Sequence, residues 1–150
     1  MTNFTTGTAG INLITSFEGF RSEPYLDQAG IPTIGYGSTH YQDGTPVTMD
    51  DSPITQEQAI QLLQIYLQKF ETVINNAVTS DINQSQFDAL CDFVYNEGPG
   101  HFLSSTLLKV VNGESDVSIS DAFLMWDKVE GQVNPGLVRR RNAEIALYNS

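Results

Sequence analysis

Three residues near the N-terminus have the types and the spacing for acid–base chemistry on a water molecule. Glu18 lies beside Gly19 and between Phe17 and Phe20; Asp27 follows nine positions later, and Thr33 six positions after that. A carboxyl flanked by aromatic rings is partly desolvated, which disfavours its charged form and raises its pKa. Such a group holds a proton near neutral pH and can act as a general acid. Asp27 stands at the end of a β-prone piece, before the turn Gln28-Ala29-Gly30. It is expected to be better solvated and to stay ionised. Across that turn the Thr33 hydroxyl can hold a water between itself and Asp27. Two carboxylates of opposite tuning with a water-orienting hydroxyl meet the needs of glycosidic-bond hydrolysis. The pair alone does not single out a site, because 18 of the 150 residues are Asp or Glu and most such pairs are surface charges.

The elements that must position these residues follow from periodicity. Leu13, Phe17 and Phe20 fall at i, i+4 and i+7 with Ile14 beside them, so a short amphipathic helix is expected over residues 8–20. Pro24 is expected to end helical continuation. Residues 25–47 are rich in Gly, Pro and Thr, with turn signals at Gln28-Ala29-Gly30 and Gln42-Asp43-Gly44, and read as a small antiparallel sheet. Thr55 with Gln58 forms a capping box, and Glu57 suits the first turn of a helix. Ala59, Leu63, Tyr66, Phe70, Val73 and Ala77 then recur at helical steps. Asn83 with Gln86 caps a further helix carrying Phe87, Leu90, Cys91, Val94 and Tyr95, which Glu97-Gly98-Pro99-Gly100 must break. A short helix through Leu107 and Val111 stops at Gly113, another is marked by Ile119, Ala122, Phe123 and Trp126, and the last runs over 136–148. The fold class is α+β within a single domain, residues 1–150: a small sheet lobe over about 8–54, a long connecting helix over about 55–78, and a helical lobe over about 83–150. Two lobes around one helix leave a cleft.

Composition narrows the function. Seven Lys and Arg against 18 Asp and Glu give a net charge of −11, which argues against nucleic acid or anionic lipid as a partner. The bulk of the acidic residues read as solvated surface. Arg139-Arg140-Arg141 is the one basic cluster, and on a helix its members fan out, so that at most two face one partner. No apolar run is long enough for a membrane-spanning helix, and the first residues lack the pattern of a secretory signal. Cys91 has no disulfide partner and reads as a buried, inert thiol. His40 and His101 lack metal-ligand spacing, the Asp43 to Asp51 stretch lacks the glycine and glutamate positions of a calcium loop, and Gly35 with Gly37 makes no phosphate cradle. No cofactor or metal is implied. Trp126 reads as a core or cleft-wall aromatic.

At the chemically suited residues the chain resembles the phage-lysozyme family, the T4-type muramidases called endolysins, and within it the lambdoid-phage endolysins of the P22 type. The family pattern of Glu, eight residues, Asp, five residues and Thr is present as Glu18, Asp27 and Thr33, continued by Thr33-Ile34-Gly35-Tyr36-Gly37. The likeness runs on through NQSQFDALCDFVYNEG, FLSSTLL, DAFLMW, Gly136-Leu137 and the arginine cluster with Glu144 to Leu147. It thus covers nearly the whole chain from about Ile11.

The resemblance implies a lysozyme-like fold and hydrolysis of the β-1,4 bond between N-acetylmuramic acid and N-acetylglucosamine in peptidoglycan. Glu18 takes the general-acid role, and Asp27 with Thr33 positions and activates water. In T4-like members this chemistry inverts the anomeric carbon, with carboxylates about 6.5–9.5 Å apart. Tyr95, Asn96 and Ser105 match positions that line the sugar cleft. The implied partner is the peptidoglycan glycan strand, met by a monomer without membrane insertion. The enzyme would accumulate in the host cytoplasm and reach periplasmic peptidoglycan through a holin. Strongly basic members adsorb to the anionic wall by charge, and this chain departs from them. A secreted bacterial muramidase effector, a silent wall-binding module and an acidic inhibitor of a basic partner are the alternative readings.

Overall fold

A computed structural model describes residues 3–150. The chain forms two compact units, one made of residues 14–68 and the other of the residues up to Leu13 together with Lys69–Ser150.

The first helix, α1, spans Thr8–Glu18 and buries Ile11 and Ile14. Its end differs from expectation. Gly19, at φ 69°, stops the helix in the left-handed conformation that favours glycine, five residues before Pro24. The expected apolar stripe is also displaced: Phe17 and Phe20 are exposed, while Ile11 and Ile14 take the core positions. Two strands follow, β1 (Arg21–Leu26) and β2 (Pro32–Gly35), paired antiparallel. The register matches Tyr25 to Thr33 and Leu26 to Pro32, but Arg21 to Gly35, so the stretch between Arg21 and Tyr25 is bulged. Pro24 sits in that bulge, where its missing N–H costs no ladder bond. Isolated bridges Ile34–Ser38 and His40–Pro46 extend the sheet region, and Gly30 and Gly44 supply the positive φ of the two anticipated turns.

Helix α2 (Gln56–Ala77) opens on the expected capping box: Gln58 N–H donates to Thr55 Oγ1 at 3.1 Å and Thr55 N–H to Gln58 Oε1 at 2.8 Å. Its buried face is Ala59, Leu63, Leu67, Phe70 and Ile74, with Val78 buried just past its end, so the expected Tyr66, Val73 and Ala77 are replaced by neighbours one position on. Tyr66 is exposed.

Helix α3 (Gln84–Glu97) has Asn83 as its N-cap, again with a full capping box through Gln86. It is the axis of the helical unit's core, with Phe87, Leu90, Phe93 and Val94 all fully buried. Around it lie α4 (Pro99–Leu103), α5 (Thr106–Val111), α6 (Ile119–Leu124) and α7 (Pro135–Tyr148). A hairpin of two-residue strands, β3 (Lys128–Val129) and β4 (Gln132–Val133), turns on Glu130 and Gly131, both at positive φ. Neither α4 nor this hairpin was anticipated. Gly98, at φ 94°, does end α3, but Pro99 then starts α4 as its first residue, where its fixed φ and absent N–H are assets. Phe93, Phe102, Phe123 and Trp126 form edge-on ring pairs through Phe93. Trp126 is only half-buried, packed on Phe93 at 5.6 Å and His101 at 5.3 Å between ring centroids.

Buried carboxylates shape this unit. Asp88, 1% exposed, accepts hydrogen bonds from the N–H groups of Gly7 (2.9 Å) and Gly10 (3.2 Å), satisfying donors at the start of α1 from a residue of α3. Glu71 accepts from both the N–H and the hydroxyl of Thr6 at 2.8 and 2.6 Å.

Candidate active site

Asp27 and Thr33 belong to one hairpin face. The β1–β2 register pairs Tyr25 with Thr33, and Asp27 N–H donates to the Ile31 carbonyl at 3.0 Å, closing the hairpin. Directly opposed residues share a face, as do residues two apart on one strand. Tyr25, Asp27, Ile31 and Thr33 therefore form one set, with Asp27 and Thr33 diagonal to each other. Diagonal neighbours stand about 7–8 Å apart at Cα, a gap that takes a water.

The local bonding sets the direction of each group. Asp27 Oδ1 accepts from the N–H groups of Ala29 at 2.8 Å and Ile31 at 2.9 Å, so one carboxylate oxygen builds the turn. Oδ2 accepts no hydrogen bond among the described residues. Thr33 is 2% exposed, and its hydroxyl donates to the Ile31 carbonyl at 2.8 Å. With its proton committed, Thr33 Oγ1 can only accept, so a water beside it must point a hydrogen at Thr33 and can point the other at Asp27.

The platform under this hairpin leaves little room for a side chain at position 35. Gly35 has φ 69°, and a Cβ there would stand 3.0 Å from Ala59 Cβ on α2. Tyr36 beside it is buried, its hydroxyl accepting from Gln56 Nε2 at 2.9 Å. The Thr-Ile-Gly-x-Gly run is thus a packing device that seats β2 on α2.

Glu18 is the last residue of α1, separated from Arg21 of β1 only by Gly19 and Phe20, and lies in the same unit as Asp27 and Thr33. Its expected desolvation by aromatic neighbours is not what is found. Glu18 is exposed, and Phe17 and Phe20 are themselves 37% and 38% exposed, with Phe20 turned onto Tyr36 at 5.7 Å.

Tyr95, Asn96 and Ser105 belong to the other unit, and each has a role in its packing. The Tyr95 ring meets Phe70 edge-on at 6.3 Å. Asn96 Oδ1 accepts from Arg141 Nη2 at 2.6 Å. Ser105 is buried; its hydroxyl donates to the Phe102 carbonyl at 2.6 Å and accepts from Leu108 N–H at 3.0 Å as the N-cap of α5.

The arginine run has a role that its spacing on a helix did not specify. Arg140 and Arg141 are buried. Arg140 grips Asp92 in a bidentate pair, Nε to Oδ2 at 2.9 Å and Nη2 to Oδ1 at 2.8 Å. Arg141 meets Glu97, Asn96 and Glu144, its guanidinium 4.9 Å from the Phe93 ring. Arg141 Nε and Glu144 Oε1 lie 2.8 Å apart as an ion pair. Burial pushes the Glu144 carboxyl well above the usual carboxylate range; nearby Asp92 adds to the rise, and Arg141 and Arg140 oppose it. A signal for this network was available: Asp88 and Asp92 sit four apart among Phe87, Leu90 and Cys91, and acids on a buried stripe require partners.

Cys91 is buried, and burial raises its thiol pKa far above the ordinary range, as expected of an unreactive cysteine. Among the described residues no three His, Cys, Asp or Glu side chains are grouped to hold a metal, and no helix is long and apolar enough to cross a membrane.

The Phage lysozyme family model matches residues 15–144. The endolysin of Bacillus phage B103 is 42% identical over 143 residues, covering 93% of this chain and 52% of the relative. The endolysin of Salmonella phage P22 is 40% identical over 141 residues, covering 94% of this chain and 95% of that one. The chain therefore spans about half the length of the Bacillus phage relative and nearly all of the P22 relative. Among solved structures, a mutant of P22 lysozyme matches with a TM-score of 0.87 at 37% identity, covering 98% of this chain and 99% of that one.

Proposed function

The chain belongs to the phage lysozyme family of peptidoglycan hydrolases, and from that membership we propose that it is a muramidase cleaving the β-1,4 bond between N-acetylmuramic acid and N-acetylglucosamine. The observation that carries the proposal is the Asp27–Thr33 hairpin face, with one Asp27 carboxylate oxygen bound into the turn and, on the same face, a Thr33 hydroxyl that can only accept. In the proposed reaction Glu18 gives its proton to the glycosidic oxygen as the bond to the anomeric carbon breaks. A water held between Thr33 Oγ1 and Asp27 Oδ2 attacks that carbon from the opposite side and passes its proton to Asp27, with inversion. Tyr95, Asn96 and Ser105 are assigned to sugar binding; for Ser105 this role comes through the shape its cap gives α5.

Likeness to phage endolysins supports the wall of the host as the place of action. Accumulation in the cytoplasm, passage through a holin pore, action as a monomer and folding as a single lysozyme-like domain belong to the same proposal. Digestion of purified peptidoglycan followed by borohydride reduction tests the bond assignment. Muramicitol, from newly reducing N-acetylmuramic acid, is the expected product. Glucosaminitol, or no new reducing end, would refute it.

A further inference from the structure

Arg21 is the only Lys or Arg in residues 14–68, against seven Asp and Glu in the same stretch. Its guanidinium lies over the Tyr25 ring, 4.5 Å from the centroid. Residues four apart on a straight strand stand about 13 Å apart. The bulge between Arg21 and Tyr25 bends β1, and the long side chain then reaches the ring. Tyr25 is paired with Thr33 and stands two positions from Asp27, so the stacked guanidinium belongs to the face that carries the proposed water site. It makes no side-chain hydrogen bond or ion pair among the described residues and is exposed.

A guanidinium held over a ring at this distance still has N–H groups free to meet a carboxylate with two parallel hydrogen bonds. The ring also restrains the side chain, so less freedom is lost on binding. Beside Glu18, the proposed acid, six carboxylates on the same unit repel an anionic polymer. The lone cation is therefore the point at which such a polymer is attracted, and the ring it lies over belongs to Tyr25, about 7 Å along the strand from Asp27. Peptidoglycan carries carboxylates in two places: the lactyl ether of N-acetylmuramic acid, where no peptide is attached, and the stem peptide.

We propose that Arg21, held on Tyr25, binds a substrate carboxylate next to the water site and so selects the carboxylate-bearing sugar strand; this rests on the peptidoglycan reading above. The test compares wild type with Arg21→Gln and Arg21→Lys on three substrates. These are intact peptidoglycan, glycan stripped of stem peptides by an amidase so that lactyl carboxylates are free, and peptidoglycan whose carboxylates are converted to methylamides. On carboxylate-bearing substrate Arg21→Gln should raise KM about 5- to 10-fold with kcat within about twofold, as for loss of one charge-assisted pair. Arg21→Lys should recover part of it. On the methylamide substrate the variants should match wild type. A penalty confined to intact polymer assigns the stem peptide, and one on the stripped glycan assigns the lactyl group; either supports the proposal. An equal penalty on the methylamide polymer, or none on any substrate, overturns it. If wild type itself releases no muramic reducing ends, the muramidase reading fails instead.

Discussion

Asp27 has two tasks, and its two oxygens divide them. Oδ1 holds the turn through the N–H groups of Ala29 and Ile31, while Oδ2 serves the proposed water. An asparagine can keep the first task and lose the second, because its amide oxygen still accepts both N–H groups. Asp27→Asn should therefore fold with a melting temperature near wild type, and its activity should fall by about 10²-fold or more, yet stay above that of Glu18→Gln. Asp27→Ala should also lose about 1–2 kcal/mol of stability with the two turn bonds. Thermal melts beside rate assays separate the two effects; equal stability of both variants would contradict the division. The spacing of Glu18, Asp27 and Thr33 was readable in the sequence, as was the hairpin turn between the last two. The exposure of Glu18 was not, since flanking aromatics say nothing of where their rings turn, and Phe20 turns onto Tyr36.

Elements whose ends carry local chemistry were legible: the capping boxes at Thr55 and Asn83, and the turns at Gly30 and Gly44. Helix α4 was not, because Gly98-Pro99 serves equally to stop one helix and to start another. The β3–β4 hairpin has two residues per strand, too few for periodicity to register. Gly35→Ala places a Cβ 3.0 Å from Ala59 Cβ at a positive φ. It should cost about 2–4 kcal/mol, combining strained backbone with overpacking. Denaturant unfolding checks this, and a loss under about 1 kcal/mol would mean that β2 is not seated on α2 as described. Ser105→Ala removes the α5 cap and should cost about 1 kcal/mol. A role through shape alone leaves KM within about twofold; a larger rise would indicate direct sugar contact.

Across the whole molecule the net charge of −11 hides an uneven arrangement, with Glu71, Asp88, Asp92 and Glu144 buried and partnered. Sequence counts cannot separate buried from solvated acids, which is why the burial of Arg140 and Arg141 against Asp92 and Glu144 was not legible. Two carboxyls give stability opposite pH dependences. Hydrogen bonds from Thr48 and then Tyr41 hold Asp51 below the usual range, so its contribution is present above the unfolded-state pKa and is lost as pH falls through the native one. Glu144 is raised, chiefly by burial, so the native state holds its proton more tightly than the unfolded chain does. Its contribution is present below the unfolded-state pKa and is lost as pH rises through the native one. Melting temperatures from about pH 3 to 8 should show Asp51→Asn flattening the acid limb and Glu144→Gln flattening the fall toward neutral pH. Parallel curves for all three proteins would contradict the assignment.

The most direct test of the central claim, that Glu18 is the general acid, is the initial rate of reducing-end release from purified peptidoglycan by Glu18→Gln at matched fold stability. The amide keeps the shape and has no proton to give. The rate should drop by about 10²–10⁴-fold, below that of Asp27→Asn. A Glu18→Gln enzyme keeping more than about a tenth of the wild-type rate, with Asp27 variants inactive, would contradict the account.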